Sequence, residues 1–157
     1  MEAVYAFFAY SVAPHEAEDL TSATFERVVR SWEGYDLRRS GERTWIMAIA
    51  RNLLTDHYRR RSHRDGPSLD EHPSLLEHSS VEPQENGAID GMALRSWLEP
   101  LSERERQVLA LRYAADLSGK EIAELMGLSA ANVHQILSRS LRRLRELETA
   151  EPVSGSA

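Results

Sequence analysis

The sequence predicts an all-α protein in which two small helical domains are joined by a flexible acidic linker. Apolar residues recur three and four positions apart over long stretches of the 157-residue chain, and no useful length of it alternates as a β-strand does. Six proline and glycine residues break that pattern between residues 65 and 91. We therefore expect one domain over residues 1–64, a linker over 65–91, a second domain over 92–148 and a disordered tail over 149–157.

Three helices are expected in the first domain. A short apolar segment, Val4–Val12, precedes Pro14, and a longer helix follows from about His15 to Glu33. After a loop over residues 34–41, a third helix is expected over residues 42–61. The residues predicted to face the core are Phe7, Phe8 and Tyr10 in the first helix, Ala17, Leu20, Thr24, Val28 and Trp32 in the second, and Trp45, Ile49, Leu53 and His57 in the third.

The second domain has sharper helix boundaries. The Ser-x-x-Glu spacing of a capping box occurs at residues 102–105 and again at 118–121, and each box predicts the start of a helix. Gly127 stands where a helix would end in a left-handed conformation. Ser129 then precedes a third, longer helix. These helices are expected to end at about Tyr113, Met126 and Glu148.

Residues 119–137 have the spacing of a helix-turn-helix. Ala123 is small, as the crossing of two helices requires, Gly127 lies in the turn, and Val133 follows where it can pack back on the first helix. In such a motif the second helix lies in the major groove of DNA. The alternative is a plain helical hairpin with a solvated arginine face. The polar face of this second helix consists of Asn132, His134, Gln135, Ser138, Arg139, Arg142, Arg143 and Arg145.

Charge is unevenly distributed along the chain. The formal net charge is −6, but residues 27–64 hold ten basic and four acidic side chains, whereas residues 65–99 hold one basic and eight acidic ones. A polyanion responds to the local potential, which salt screens over about 10 Å. The net charge therefore does not exclude a nucleic-acid partner, and the predominance of arginine over lysine suits contacts to phosphates and base edges.

Two segments of the chain resemble one protein family. The string LSERERQVLALRYAADLSGKEIAELMGLSAANVHQILSRSLRRLREL resembles region 4 of bacterial sigma factors of the extracytoplasmic-function (ECF) group. The string EDLTSATFERVVRSW, followed by WIMAIARNLLTDHYRRR, resembles region 2 of the same family. The resemblance implies a promoter-specificity subunit of RNA polymerase, which is not an enzyme in itself and requires no cofactor or metal ion.

Region 4 of this family reads the −35 promoter element. The resemblance implies that the polar face of the second helix contacts base edges or nearby phosphates there. Glutamine pairs well with adenine and arginine with guanine, whereas phosphate contacts hold the register without reading sequence. The expected −35 contacts are Asn132, His134, Gln135, Ser138 and Arg139, with Arg142 and Arg143 placed for phosphates.

Region 2 of this family binds the clamp helices of the polymerase β′ subunit and opens the −10 element. The loop over residues 34–43 matches the position at which the family captures an extruded base of the nontemplate strand, which requires a stacking surface and hydrogen bonds to the base edge. In that loop the candidates are Tyr35, Arg38 and Arg39. On the −10-facing helix they are Asn52, Asp56, Arg59, Arg60 and Arg61, and in the core-binding stretch they are Asp19, Thr21, Thr24 and Phe25.

Several of these residues also have a purely structural interpretation. Trp32 and Trp45 lie on apolar stripes, so we expect both in the core rather than as base-stacking groups. Residues 59–61 could be only a solvated helix end, favoured by the helix dipole, and Asp56 could pair with a neighbouring arginine. The acidic linker either confers solubility alone or, as the resemblance suggests, mimics nucleic acid inside the polymerase.

Three other functions compete with this one. An enzyme would need a set of reactive side chains, and the scattered histidines at 57, 63, 72 and 78 lack the spacing of a zinc site. An autonomous helix-turn-helix regulator would need a ligand-sensing domain, which residues 15–64 could hardly enclose. The third is a sigma-like protein that binds the polymerase without initiating. Family members usually carry one to two further helical turns before the first helix, which here begins almost at Met1, so either region 2 is trimmed or the true start lies upstream.

The resemblance also implies the partners. These are the RNA polymerase core, through the β′ clamp helices and the β flap, promoter DNA, and an anti-sigma factor. No apolar run approaches the roughly 18 residues that a membrane-spanning helix needs, and the N-terminus lacks the basic start of a signal peptide. The chain has no cysteine, which fits a reducing compartment. We therefore expect a cytoplasmic protein with no membrane insertion.

Overall fold

The computed structural model describes residues 1–64 and 91–150, and every regular element within them is helical. The predicted all-α class is confirmed. The predicted linker, apart from its last residue, and residues 151–157 lie outside the described residues. The helices are α1 (Glu2–Ala9), α2 (Pro14–Ser31), α3 (Glu42–Arg64), α4 (Gly91–Leu98), α5 (Glu103–Leu109), α6 (Gly119–Met126) and α7 (Ala130–Ala150), with a 3-10 turn at Trp32–Gly34 and a π-helical turn at Ala110–Ala114.

Several helix ends depart from the predicted boundaries; α1 covers Glu2–Ala9, and α3 continues to Arg64. Helix α4 begins at Gly91, the last predicted linker residue, and it was missed because a helix of eight residues gives little periodicity to detect. Its Leu98 is fully buried, so tertiary packing rather than local propensity holds it. Helix α7 continues to Ala150, two residues into the predicted tail, and Thr149 bonds the carbonyl of Glu146 in that last turn.

The helix starts follow the predicted local signals. The hydroxyl of Ser102 accepts a hydrogen bond from the N–H of Glu105 at 3.2 Å, and the N–H of Ser102 donates to the Glu105 carboxylate at 2.7 Å. Ser118 and Glu121 repeat both bonds at the same distances. Both predicted capping boxes are therefore confirmed. Pro14 is the first residue of α2, where its missing N–H costs nothing.

Helices from both predicted domains share one apolar core. Helix α1 packs against α2 and α3 on one side and against the π-helical turn on the other. Phe7 and Phe8 are both fully buried, and their rings meet edge to face with centroids 5.3 Å apart. The sequence did not predict this shared core. Its largest members from the first domain are Val4, Phe7, Phe8, Met47 and Leu54, and those from the second are Val108, Leu111, Leu117, Ile122 and Val133.

A second, smaller cluster holds the ends of the second domain together. Leu98 of α4, Leu101, Leu109 of α5 and Leu144 of α7 are all buried against one another.

Within residues 1–64 and 91–150, none of the helices combines the length and apolar character needed to cross a membrane.

Candidate nucleic-acid interface

Helices α6 and α7 form the predicted helix-turn-helix. Ala123 is almost completely buried and Val133 is fully buried, as the close crossing requires. Gly127 ends α6 in the left-handed conformation, at φ 68° and ψ 34°, and its N–H donates to the carbonyl of Ala123. Ser129 caps α7 by accepting a hydrogen bond from the N–H of Asn132 at 3.1 Å. The structure thus confirms the three-point spacing as a motif with a fixed turn.

The outer face of α7 is basic and open to solvent. Arg139, Arg142, Arg143 and Glu146 together form a shallow, open patch on this face. In the described part of the chain, none of these three arginines forms an ion pair, so their guanidinium groups are available to an anion. The structure exposes the other predicted −35 residues except Asn132, which is half-buried; the exposed ones are His134, Gln135 and Ser138.

Three aromatic rings cluster beside the predicted base-capture loop. The rings of Tyr35 and Trp45 stack, with centroids 4.3 Å apart and planes inclined by 23°. Trp32 lies against both rings, at 5.9 Å from Tyr35 and 6.1 Å from Trp45. We call Trp32, Tyr35 and Trp45 the aromatic cluster. It joins the end of α2 to the start of α3 and leaves ring surface accessible.

The expectation that both tryptophans belong to the core is wrong. Trp32 is 52% exposed and Trp45 is half-buried. Trp32 belongs to the 3-10 turn that follows α2, so the helical periodicity that placed it on the buried stripe does not apply to it. Met47, which lies off the predicted stripe of α3, is buried instead.

Hydrogen bonds within the loop fix the position of the Tyr35 ring. The Tyr35 hydroxyl donates to the carbonyl of Ser40 at 3.0 Å, and the side chain of Asp36 accepts from the N–H of Arg38 at 2.9 Å. Desolvation, followed by the carboxylates of Glu42 and Asp36, raises the pKa of Tyr35, so its hydroxyl stays protonated at neutral pH. Arg38 and Arg39 are exposed on the same loop.

Helix α3 carries the remaining predicted −10 residues, with Asn52, Asp56, Arg59 and Arg60 on one side and Arg61 on the opposite side. Asn52, Arg59 and Arg60 are exposed, while Asp56 and Arg61 are half-buried. Asp56 forms no ion pair among the described residues, so the structural interpretation of Asp56 as a partner of a neighbouring arginine is not supported.

Helix α2 presents only part of the predicted core-binding set. Asp19 is exposed and Phe25 is half-buried, but Thr24 is fully buried and its hydroxyl donates to the carbonyl of Leu20 at 2.7 Å. Thr24 is therefore a core residue and not a surface contact, because the stripe of α2 that faces α3 includes it. The hydroxyl of Thr21 is likewise engaged, with the carbonyl of Ala17 at 2.6 Å.

Val29 is a surface residue of α2 that the sequence patterns did not predict. Val29 is 75% exposed, whereas Phe25, one turn earlier, is half-buried and packs against the apolar core. The signal was present in the sequence, since Val29 lies about 100° around the helix from the buried stripe residue Val28.

The described residues contain no group of three or more histidine, cysteine, aspartate or glutamate side chains that could hold a metal ion. Of the scattered histidines, His57 instead approaches the carboxylate of Glu16 at 3.4 Å. His72 and His78 lie outside the described residues.

Comparisons with known proteins agree on one family. The family model "Sigma-70 region 2" matches residues 3–64, and "Sigma-70, region 4" matches residues 97–146. The ECF RNA polymerase sigma factor SigM of Bacillus subtilis (strain 168) is 31% identical over 133 residues, which are 85% of this chain and 80% of that protein. The RNA polymerase sigma-E factor of Streptomyces antibioticus is 30% identical over 139 residues, which are 88% of this chain and 74% of that protein.

A solved structure has the same fold. The sigma factor RpoE from Bartonella quintana, crystallised in complex with the anti-sigma factor NepR, superposes with a TM-score of 0.74 at 23% identity. The superposition covers 96% of this chain and 92% of that one.

Proposed function

Since the chain belongs to the sigma-70 family as an ECF RNA polymerase sigma factor and acts in transcription initiation, we propose that its two units divide promoter recognition between them. Region 4, over residues 92–148, reads the −35 element with α7. Region 2, over residues 1–64, binds the polymerase core and opens the −10 element. The single observation that carries this division is that each region has its own DNA-compatible surface, the basic face of α7 in one and the aromatic cluster beside α3 in the other.

The −35 contacts follow from the exposure of α7. His134, Gln135 and Ser138 lie in its N-terminal half, where a recognition helix meets base edges. Arg139 adjoins them and can reach a guanine through two hydrogen bonds. Arg142 and Arg143 lie a turn further on and are better placed for phosphates. Asn132 is half-buried, so we propose a supporting role for it at the start of the helix.

The −10 element is opened by capture of a nontemplate base on the aromatic cluster. Stacking on an aromatic ring contributes about 1–3 kcal/mol per base, which offsets the cost of unpairing. The cluster enlarges the predicted stacking surface, because Trp32 and Trp45 accompany Tyr35. Arg38 and Arg39 supply hydrogen bonds to the base edge or to phosphates. The candidates for the adjoining duplex are Asn52, Asp56, Arg59, Arg60 and Arg61 on α3.

The polymerase core is bound through the outer side of α2. Asp19 and Val29 are exposed there and Phe25 is half-buried, so this side offers a charged group near apolar surface, as protein interfaces do. We propose that this side contacts the β′ clamp helices, with Thr21 at its edge, and that region 4 contacts the β flap.

An anti-sigma factor is proposed as a further partner. The structure of RpoE is a complex with the anti-sigma factor NepR, and that of CnrH is a complex with the cytosolic domain of CnrY. CnrH has a TM-score of 0.65 to this chain. Because polymerase and promoter DNA are its proposed partners, the protein would act in the bacterial cytoplasm.

Run-off transcription with purified polymerase core on a library of promoter sequences tests the function. We expect transcripts from a restricted set of promoters, and only when the chain is present. Failure of the chain to associate with the core would overturn the proposal. Association without transcripts would favour a sigma-like protein that does not initiate, and tight, specific DNA binding without polymerase would favour an autonomous regulator.

Substitution of two arginines of α7 should separate base reading from phosphate binding. We expect Arg139→Ala to reduce discrimination between −35 sequences by about tenfold, and Arg143→Ala to weaken binding to all promoters and to lower the salt slope by about 1. Both side chains are exposed, so neither change should affect folding. Holoenzyme binding is measured on matched and mismatched promoters over a range of salt, with the exposed Arg30→Ala in α2 as control. Equal losses on all sequences for both variants would reject this division.

A further inference from the structure

The start of α3 contacts region 4 through an ion pair. Arg43 Nη1 lies 3.5 Å from Asp116 Oδ2, and the other carboxylate oxygen of Asp116 lies 3.7 Å from Arg112 Nη1. The side chains of Arg43 and Asp116 are both largely exposed, so salt and competing ions can reach them.

A second acidic group of region 4 faces the same turn of α3. Hydrogen bonds from the Ser118 backbone and hydroxyl lower the pKa of Glu121, and the hydroxyl of Thr44 and the charge of Arg43 lower it further. Asp116 of region 4 thus forms the ion pair with Arg43, and the Glu121 carboxylate lies close enough to interact with the charge of Arg43.

The backbone holds Asp116 in place. This residue follows the π-helical turn and adopts a left-handed conformation, with φ 55°. Aspartate tolerates that conformation better than most residues. The N–H of Leu117 then donates to the carbonyl of Leu111 at 3.0 Å. The carboxylate is thus presented from a fixed turn rather than from a mobile side chain on a helix.

Arg43 also lies at the end of the base-capture loop. It lies two residues before Trp45 of the aromatic cluster and closes the loop that carries Arg38 and Arg39. A base stacked on the cluster brings the phosphates of its own strand to this loop. Among the described residues, Arg38 and Arg39 form no ion pair, whereas Arg43 already holds a carboxylate.

The packed arrangement of the two regions cannot contact both promoter elements. Elements centred near −35 and −10 lie about 25 base pairs apart, which is roughly 85 Å at about 3.4 Å per base pair. A compact body of this size has a radius of gyration of only about 14 Å. The contact between the regions must therefore break on the promoter. Partial burial, followed by the charge of Arg104 of region 4, lowers the pKa of Arg51 in α3, so packing of the regions also brings two positive charges near each other.

We propose that the Asp116 carboxylate takes the place of a DNA phosphate at Arg43 while regions 2 and 4 are packed together, and that Arg43 binds a nontemplate-strand phosphate once they separate. The contact between the regions and the capture of the strand then exclude each other, because they use one guanidinium group. This inference rests on the proposed role of the loop in base capture.

Substitution of either partner of the ion pair should have the same effect in the free protein, whereas the two substitutions should have opposite effects on DNA binding. In the free protein, Asp116→Asn and Arg43→Gln both remove the contact, so both should raise the fraction of separated molecules about two- to fivefold. The chain has no cysteine, so labels on E18C and E148C report the distance between the regions. A fraction that is unchanged in both variants would overturn the proposal.

Holoenzyme binding to a fork-junction promoter provides the second measurement. We expect Asp116→Asn to bind as well as the unaltered protein or better, Arg43→Gln to bind several-fold more weakly with a salt slope lowered by about 1, and Arg43→Lys to recover most of the loss. Glu124→Gln and Arg30→Gln remove the same charges elsewhere and serve as controls. Losses of equal size for Asp116→Asn and Arg43→Gln would mean that the pair is only structural. Failure of the unaltered chain to bind polymerase would instead overturn the proposed function, and the label distances would still test the contact.

Discussion

Phe7→Ala should destabilise residues 1–64 and 91–150 together, by about 3–5 kcal/mol. Phe7 is fully buried and packs edge to face on Phe8 in α1. Because α1 contacts both the helices of region 2 and the π-helical turn of region 4, the cavity left by the ring lies in the core that the regions share. A loss of this size is a large part of the stability of an ordinary domain.

Denaturation by urea measures this effect in both regions at once. Region 2 contains Trp32 and Trp45, and region 4 contains Trp97, so a W32F/W45F background leaves fluorescence from region 4 alone. We expect the fluorescence and the circular dichroism midpoints to fall together in Phe7→Ala. Leu37→Ala is the matched control, because Leu37 is 75% exposed and its loss should change stability by no more than about 0.5 kcal/mol. Loss of region 2 with the Trp97 transition unmoved would show that the regions fold independently.

The features predicted correctly from the sequence are those that short-range interactions determine. A capping box involves residues three apart, and the turn of the helix-turn-helix depends on Gly127, the one glycine in the described ranges with a positive φ. Such features need no knowledge of what packs against them. The polar face of α7 was predicted for the same reason, because its exposure follows from the buried positions of Val133 and Leu144 at helical spacing.

The features that were missed depend on contacts between distant parts of the chain. The packing of α1 on the π-helical turn joins residues about a hundred positions apart, and no periodicity encodes it. Thr24 lies on the predicted buried stripe of α2 but was also predicted to contact the polymerase core. Its burial excludes that contact. The π-helical turn itself replaces a regular helix end, and it positions Asp116 opposite Arg43 in a way that spacing along the sequence does not indicate.

Tyr35→Ala should slow promoter opening about thirtyfold, as expected for the loss of about 2 kcal/mol of stacking. The Tyr35 ring stacks on Trp45 at 4.3 Å and lies 5.9 Å from Trp32, so its removal takes away one of the three rings on which the captured base would stack. Opening is followed by the fluorescence of 2-aminopurine in the nontemplate strand of the −10 element. Binding at the −35 element uses α7 and should be unchanged.

Tyr35→Phe separates the ring from its hydroxyl. This variant keeps the stacking surface and loses only the hydrogen bond to the Ser40 carbonyl, so we expect opening within about threefold of the unaltered rate. The pKa of Tyr35 is raised above its usual value near 10, so its hydroxyl stays protonated. Between pH 7 and 9, ionisation of this group should therefore not change the rate of promoter opening. A loss in Tyr35→Phe as large as that in Tyr35→Ala would assign the effect to the hydrogen bond.

A probe without the captured base tests stacking directly. With an abasic site at that position of a fork-junction promoter there is nothing to stack on Tyr35, so the unaltered holoenzyme and the Tyr35→Ala holoenzyme should bind equally. On the intact probe they should differ by the full stacking energy, because the base and the ring contribute only when both are present. A deficit of Tyr35→Ala that persists on the abasic probe would mean that the ring acts by holding the loop, through Ser40 and Trp45, rather than by receiving a base.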